Sequence, residues 1–219
     1  MPPIDSDTLP APPAAAHESA RRAIVLRLLP LFSISGVAAL IYQVCWQRML
    51  TVVIGADTES VTIVVSAFML GLGMGAILGG IAADRWRTHI PRLFAATEVL
   101  IGAFGLLSPM LIQALPALTQ TASAPMIALL TFALLALPTT LMGATLPMLV
   151  THCVAVYQAV GPAIGGLYFA NTLGAAAGAA VTGMITFNYL GLHATIWVAA
   201  AMNAVVAVLS LLTLERTRV

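Results

Sequence analysis

Residues 60–83 read SVTIVVSAFMLGLGMGAILGGIAA, 24 residues without a charged side chain, with Glu59 before them and Asp84 and Arg85 after. As a helix this stretch is about 36 Å long at 1.5 Å per residue, and about 20 apolar residues suffice to cross a hydrocarbon core of roughly 30 Å. Outward from it the pattern repeats. Residues 28–47 hold no charge, and neither do residues 99–214. Of 219 residues 60% are hydrophobic, against nine cations and eight acids. No stretch of about 100 residues has the polar content of a soluble catalytic domain. The composition predicts an all-α integral membrane protein in the lipid bilayer.

Breaks in the apolar pattern divide the chain into six transmembrane spans, about 28–47, 61–83, 93–114, 126–150, 167–189 and 194–214. Leu115 to Pro125 combines two prolines with Thr119, Gln120, Thr121 and Ser123, which is turn chemistry. Asn188 and Gly191 mark a tight hairpin between the last two spans. Residues 1–27 are expected to be a disordered N-terminal tail, because five prolines and three acids precede Arg21 with no apolar period. Residues 28–214 form the membrane domain and 215–219 a short C-terminal tail. The segment 151–166, THCVAVYQAVGPAIGG, is too apolar for an open loop and too interrupted for a span; an interfacial or partner-covered segment is expected there.

All nine cations are arginines. A cytoplasmic N-terminus puts Arg21, Arg22, Arg27, Arg85, Arg87, Arg92, Arg216 and Arg218 inside and leaves Arg48 outside, so both termini are expected in the cytoplasm of a bacterial inner membrane. Cys45 and Cys153 then lie on opposite sides of the hydrocarbon core, too far apart for a disulfide. A repeat is visible at an offset of 103: Leu70, Gly71, Gly75, Ala76 and Gly80 match Leu173, Gly174, Gly178, Ala179 and Gly183. Each set lies on the middle span of three, and a tandem unit of three spans inserts upside down the second time. The expectation is two inverted three-helix repeats, an arrangement known in secondary transporters.

Gly71, Gly75 and Gly79 recur on one helix face, as do Gly174 and Gly178, which marks close packing between helix backbones. Glu98 is the one acid inside a span. Two readings are open for it: a proton or cation site, or an acid that snorkels toward Arg92 or bonds polar neighbours such as Asn171 or Thr172. Gln43, Asn171 and Asn203 are uncharged amides inside spans and, with Glu98 and Thr172, make a candidate intramembrane polar site. Tyr42, Trp46 and Arg48 have the composition of an interfacial anchor. The four histidines are dispersed, no metal-ligand spacing occurs, and no nucleotide-binding or nucleophile motif is present, so no metal, cofactor or catalytic residue is expected. Nucleic-acid binding lacks the basic stripe it requires.

Several stretches together resemble a known family: SGVAALIYQVCWQRML (35–50), SAFMLGLGMGAILGGIAADR (66–85), TEVLIGAFGLLSP (97–109), PTTLMGATLPMLV (138–150) and LYFANTLGAAAGAAVTGMITFNYLGLHATIWVAAAMN (167–203). They are similar to the membrane half of the bacterial fused spermidine-synthase-like proteins. The resemblance matches Glu98 to the family's glutamate on span three, and Tyr168, Asn171, Thr172 and Gly174 to its polar cluster on span five. Gln43 stands where that family usually carries an acid. Members commonly continue into a cytoplasmic aminopropyltransferase-like domain, which this chain is expected to lack. A weaker resemblance, through Gly80, Asp84 and Arg85, is to the cytoplasmic loop of the major facilitator superfamily. Together these imply a non-catalytic membrane module, anchoring or transport-like, within a larger assembly. Its implied partners are other membrane subunits or a cytoplasmic synthase-like protein, with 151–166 as the candidate contact. The alternative is a half-size transporter working as a homodimer on polyamine-like or other small cationic solutes.

Overall fold

The computed structural model describes residues 13–54, 57–118, 123–157 and 160–214. Among them there is no strand. The helices are α1 (Pro13–Ile54), α2 (Asp57–Arg85), α3 (Ile90–Leu118, after a short 3-10 turn Arg87–His89), α4 (Ala124–Tyr157), α5 (Val160–Val181) and α6 (Gly191–Leu214). A π-helical turn, Thr182–Thr186, and one more helical turn, Phe187–Tyr189, continue α5. Among the described residues, six segments are long and apolar enough to cross a membrane: Leu26–Val53, Ser60–Arg85, Arg87–Ala117, Pro125–Ala155, Ile164–Tyr189 and Gly191–Leu214.

The breaks have local causes. Ser123 offers its carbonyl to the amides of Met126 and Ile127 as α4 begins, and Pro125 in that first turn lacks an amide proton that would have had no helical acceptor. At the hairpin the chain reverses through Gly191, whose φ of 74° a residue with a side chain rarely adopts. Pro109 sits inside α3 and cannot donate to the carbonyl of Gly105; the hydroxyl of Ser108 takes its place at 2.7 Å.

Three expectations are corrected. Residues 13–27 are helical rather than a disordered tail, because Pro13 enters as a favourable first residue and a run rich in alanine and arginine follows, both strong helix formers. Residues 1–12 and 215–219 lie outside the described residues. The segment 151–166 is not a separate interfacial element: α4 runs on to Tyr157 and α5 starts at Val160, since His152, Cys153 and Val154 continue the helical hydrogen bonding without a breaker. Tyr42 and Trp46 are no interfacial anchor, for both are completely buried.

The helices pack in a definite scheme: α2 on α4, α1 on α5, α3 on α6, with α1 also on α6 and α3 on α4. Residue numbers rise together along the first two pairs, so these helices run parallel. The glycines make both crossings close. A Cβ at Gly71 would meet the Thr139 side chain; at Gly75 it would strike the Thr140 carbonyl, and at Gly79 it would lie 2.5 Å from the Ala144 Cα. On the other crossing, Gly174 abuts the Ser33 carbonyl, and a Cβ at Gly178 would lie 2.5 Å from the Val37 carbonyl oxygen. Two buried apolar clusters fill the bundle. One surrounds Tyr42, Trp46, Phe68 and Leu135, and the other Phe32, Phe94, Met148 and Leu167. Cys45 belongs to the first and Cys153 to the second, and both are free thiols.

Candidate functional site

Between these clusters, α3 carries Glu98, which has no exposed surface. An uncompensated carboxylate in such surroundings is costly, and donors from other helices supply the compensation. Ser35 Oγ on α1 donates to Oε1 at 2.7 Å, and Asn203 Nδ2 on α6 donates to Oε2 at 2.7 Å. The amide oxygen of Asn203 in turn accepts the Tyr42 hydroxyl at 3.0 Å. One network thus ties three helices.

Sequence spacing explains how the network fits. Glu98, Gly102 and Gly105 lie four and then three residues apart and share one face of α3. A Cβ at Gly102 would lie 3.3 Å from the Asn203 Cβ, and a Cβ at Gly105 would enter the Tyr42 ring. The two glycines leave room for the partners that surround the acid. On α1, Ser35 and Tyr42 are seven residues apart, two turns along the same face. Tyr42 stacks on Trp46 with ring centroids 5.5 Å apart, and Trp46 Nε1 donates to Ser108 Oγ at 2.8 Å. The indole therefore closes the same chain of bonds that repairs the helix at Pro109.

Beside the network lies a cavity of about 600 Å³. Ser35 and Asn203 are on its wall; Glu98 is not, and lies one hydrogen bond behind them. Two of its walls stand at positions that match at the sequence offset of 103. Phe68, Met69, Leu72 and Ala76 of α2 correspond, at the offset of 103, to Asn171, Thr172, Ala175 and Ala179 of α5. The α2 wall is apolar where the α5 wall offers an amide and a hydroxyl. Gln43, Gly36 and Gly143 also line the cavity. Met69 (60% exposed) and Tyr168 (61% exposed) line it as well, so it opens on the flank of the bundle.

Of the residues singled out in the sequence, Gln43, Asn171, Thr172 and Asn203 therefore meet around one cavity, with Glu98 behind its wall. The hydrogen-bond partners of Glu98 are Ser35 and Asn203 rather than Asn171 or Thr172. Gly71, Gly75, Gly79, Gly174 and Gly178 lie in the two crossings, away from any reactive group. Gly80, Asp84 and Arg85 stand apart at the end of α2. There Asp84 pairs with Arg87 at 2.7 Å, both exposed, and the Arg85 guanidinium lies 5.9 Å from the centre of the Trp86 ring. Among the described residues no group of three or more His, Cys, Asp or Glu is placed to hold a metal ion. Sequence reasoning missed Ser35, and it misplaced Tyr42. The signal that could have found them is the stripe Glu98, Gly102, Gly105, which marks a face of α3 where large side chains from elsewhere must enter.

No family model, curated protein or solved structure matches this chain.

Proposed function

We propose that the chain is a non-catalytic, polytopic membrane module that binds a small solute in a transport-like manner as one subunit of a larger membrane assembly. The observation that carries this reading is the cavity of about 600 Å³, apolar on α2 and hydrogen-bonding on α5, open on the flank of the bundle. A cavity of that volume holds a compact organic molecule. Its walls favour a solute with one apolar edge, against Phe68 and Met69, and one edge that bonds Asn171 and Thr172. The sequence resemblance to the membrane half of the fused spermidine-synthase-like proteins agrees with a membrane module. The parallel α1–α5 and α2–α4 pairs exchange under interchange of the two halves, which supports inverted three-helix repeats. The arginine asymmetry supports cytoplasmic termini in a bacterial inner membrane.

A second reading, an anchoring subunit without a solute, is favoured by the way the protein itself satisfies both oxygens of Glu98. One experiment separates the two. The purified protein is melted in mild detergent with a panel of small amides, amino acids and amines, alongside Asn171→Leu and Thr172→Val. The transport-like reading expects at least one solute to raise the melting temperature of wild type and neither variant to respond. A flat panel, with a stoichiometric membrane protein co-purifying, establishes the anchor instead.

A further inference from the structure

The geometry points to Glu98 as a proton site that exchanges with the cavity through the hydroxyl of Ser35. This deepens the transport-like reading by naming what the buried acid receives. Three observations carry it. Glu98 is completely buried and absent from the cavity wall, so an ammonium or metal cation in the cavity meets Ser35 and Asn203 before it can reach the carboxylate. A proton has no such restriction, because a hydroxyl passes one along by giving its own. Of the two groups that shield the acid, Ser35 is a hydroxyl that can donate or accept, whereas Asn203 reaches the acid through an amide nitrogen that only donates.

The step balances as follows. Ser35 Oγ gives its proton to Glu98 Oε1 and takes one from a hydronium in the cavity, which is left as water; the carboxylate becomes a neutral acid and the hydroxyl is regenerated. Rotation about the Ser35 Cβ–Oγ bond then lets Oγ accept from the new Glu98 hydroxyl. Asn203 keeps its bond to Oε2 in both states, so protonation leaves neither oxygen without a partner. The site can hold either charge state in one fold, which a structural ion pair cannot.

Among the described residues, the charged and titratable groups on the helices packed against α3 are placed as follows. On α1, Tyr42 reaches the network through Asn203, Cys45 packs in the cluster around Trp46, and Arg27 and Arg48 are at exposed ends of the spanning segment. On α6, His193 lies beside Arg48 and Gln113 at the far end of the bundle. On α4, His152 and Cys153 belong to the end that holds Leu149 and Leu214, and on α3 itself Arg92 precedes Glu98 by six residues toward that same end.

The test uses the full chain in lipid nanodiscs with no solute present, so that solute binding and proton exchange can fail separately. As pH is lowered between about pH 9 and 5, wild type should gain the infrared carbonyl band of a protonated carboxylic acid. Glu98→Gln, with an unchanged melting temperature, should lack it. After a pH jump, Ser35→Ala should reach its final band about tenfold more slowly or worse, and Ser35→Thr should restore the rate. If Ser35→Ala does not fold, Ala39→Val, one turn along α1 on the cavity floor, narrows the approach to Ser35 and should slow the same relaxation. The proposal is overturned by the absence of a Glu98-dependent band at every pH, or by relaxation of Ser35→Ala (or its substitute) at the wild-type rate.

Discussion

Adding one methyl group at Gly75 tests the helix crossings more sharply than any larger change, because a neighbour two residues away supplies the control. A Cβ at Gly75 would overlap the Thr140 carbonyl oxygen and lie 2.8 Å from the Gly143 Cα and 2.9 Å from the Ala144 amide nitrogen. All three are backbone atoms, so no rotamer change relieves the overlap. Ordinary carbon contacts begin near 3.5 Å, so α2 and α4 must part by several tenths of an ångström or more. Such a gap forfeits a quarter to a half of the dispersion attraction along the seam, and overpacking of this kind typically costs about 1–3 kcal/mol. At Gly73 nothing lies within 4 Å. There Gly73→Ala gains the helix propensity of alanine, about 0.5–1 kcal/mol, with no steric cost. Gly75→Ala gains the same propensity, which cancels in the comparison, so it is expected to be less stable than Gly73→Ala by the overpacking cost, about 1–3 kcal/mol. Reversible unfolding in mixed micelles, with both variants at equal protein-to-detergent ratio, reads the difference. Gly178→Ala, which meets the Val37 backbone on the other crossing, should behave like Gly75→Ala. Equal stability of the Gly73 and Gly75 variants would refute the packing argument.

Trp46→Ala should cost about 3–5 kcal/mol, since it empties the space against Tyr42, Phe68 and Phe104 and removes the donor to Ser108; Trp46→Phe, which keeps a ring but loses that donor, should cost roughly 1 kcal/mol, and unfolding of the two variants side by side checks the order. The arginine asymmetry, eight against one, predicts that tags at either terminus are shielded from membrane-impermeant reagents in intact cells, and labelling of either tag from outside would reverse the topology.

Much of the architecture was legible because charge is excluded from long apolar helices, so its placement marks the six helices long and apolar enough to cross a membrane. The 24 uncharged residues around Gly75 admit few readings; the turn expected over 115–125 is shorter, since α3 runs on through Pro116 to Leu118, and residues 119–122 lie outside the described residues. The glycine spacing on α2 and α5 was legible for a similar reason, since small residues every four positions leave a groove that another backbone must fill. The partners of Glu98 were not. Ser35 lies 63 residues from it and Asn203 lies 105 residues away, and nothing in the local pattern of α1 or α6 states which helix they face. Tyr42 and Trp46 were misplaced because aromatic residues near a span end usually sit at the interface. Here Gly105 admits the Tyr42 ring and Ser108 accepts the Trp46 proton, and that depends on a pairing with α3 which α1 alone does not reveal. The helix from Pro13 was missed by weighing prolines above the alanines that follow them.

The hydrogen-bonding and apolar side chains of the cavity wall come largely from different helices. Ser35 and Gln43 come from α1, Asn171 and Thr172 from α5 and Asn203 from α6, and these three helices pack together through the α1–α5 and α1–α6 contacts. Phe68 and Met69 come from α2, Ile101 from α3 and Met142 and Leu146 from α4, a second packed group through α2–α4 and α3–α4. Thr145 of α4 also lines the cavity, but its hydroxyl is turned back to the Met142 carbonyl at 2.7 Å. On the proposed transport-like reading, a solute between the two groups would find its hydrogen bonds mainly on one side, which would orient it. Glu98 helps join the two groups: it grows from α3, and both its hydrogen bonds cross to α1 and α6, alongside the Trp46–Ser108 bond from α1 to α3. Bonds to an ionised carboxylate are roughly twice as strong as those between neutral groups. On the proposed proton exchange, loading Glu98 weakens this joint and unloading strengthens it. The charge of one side chain that no solute touches then contributes to how firmly α3 is held against α1 and α6 beside the cavity.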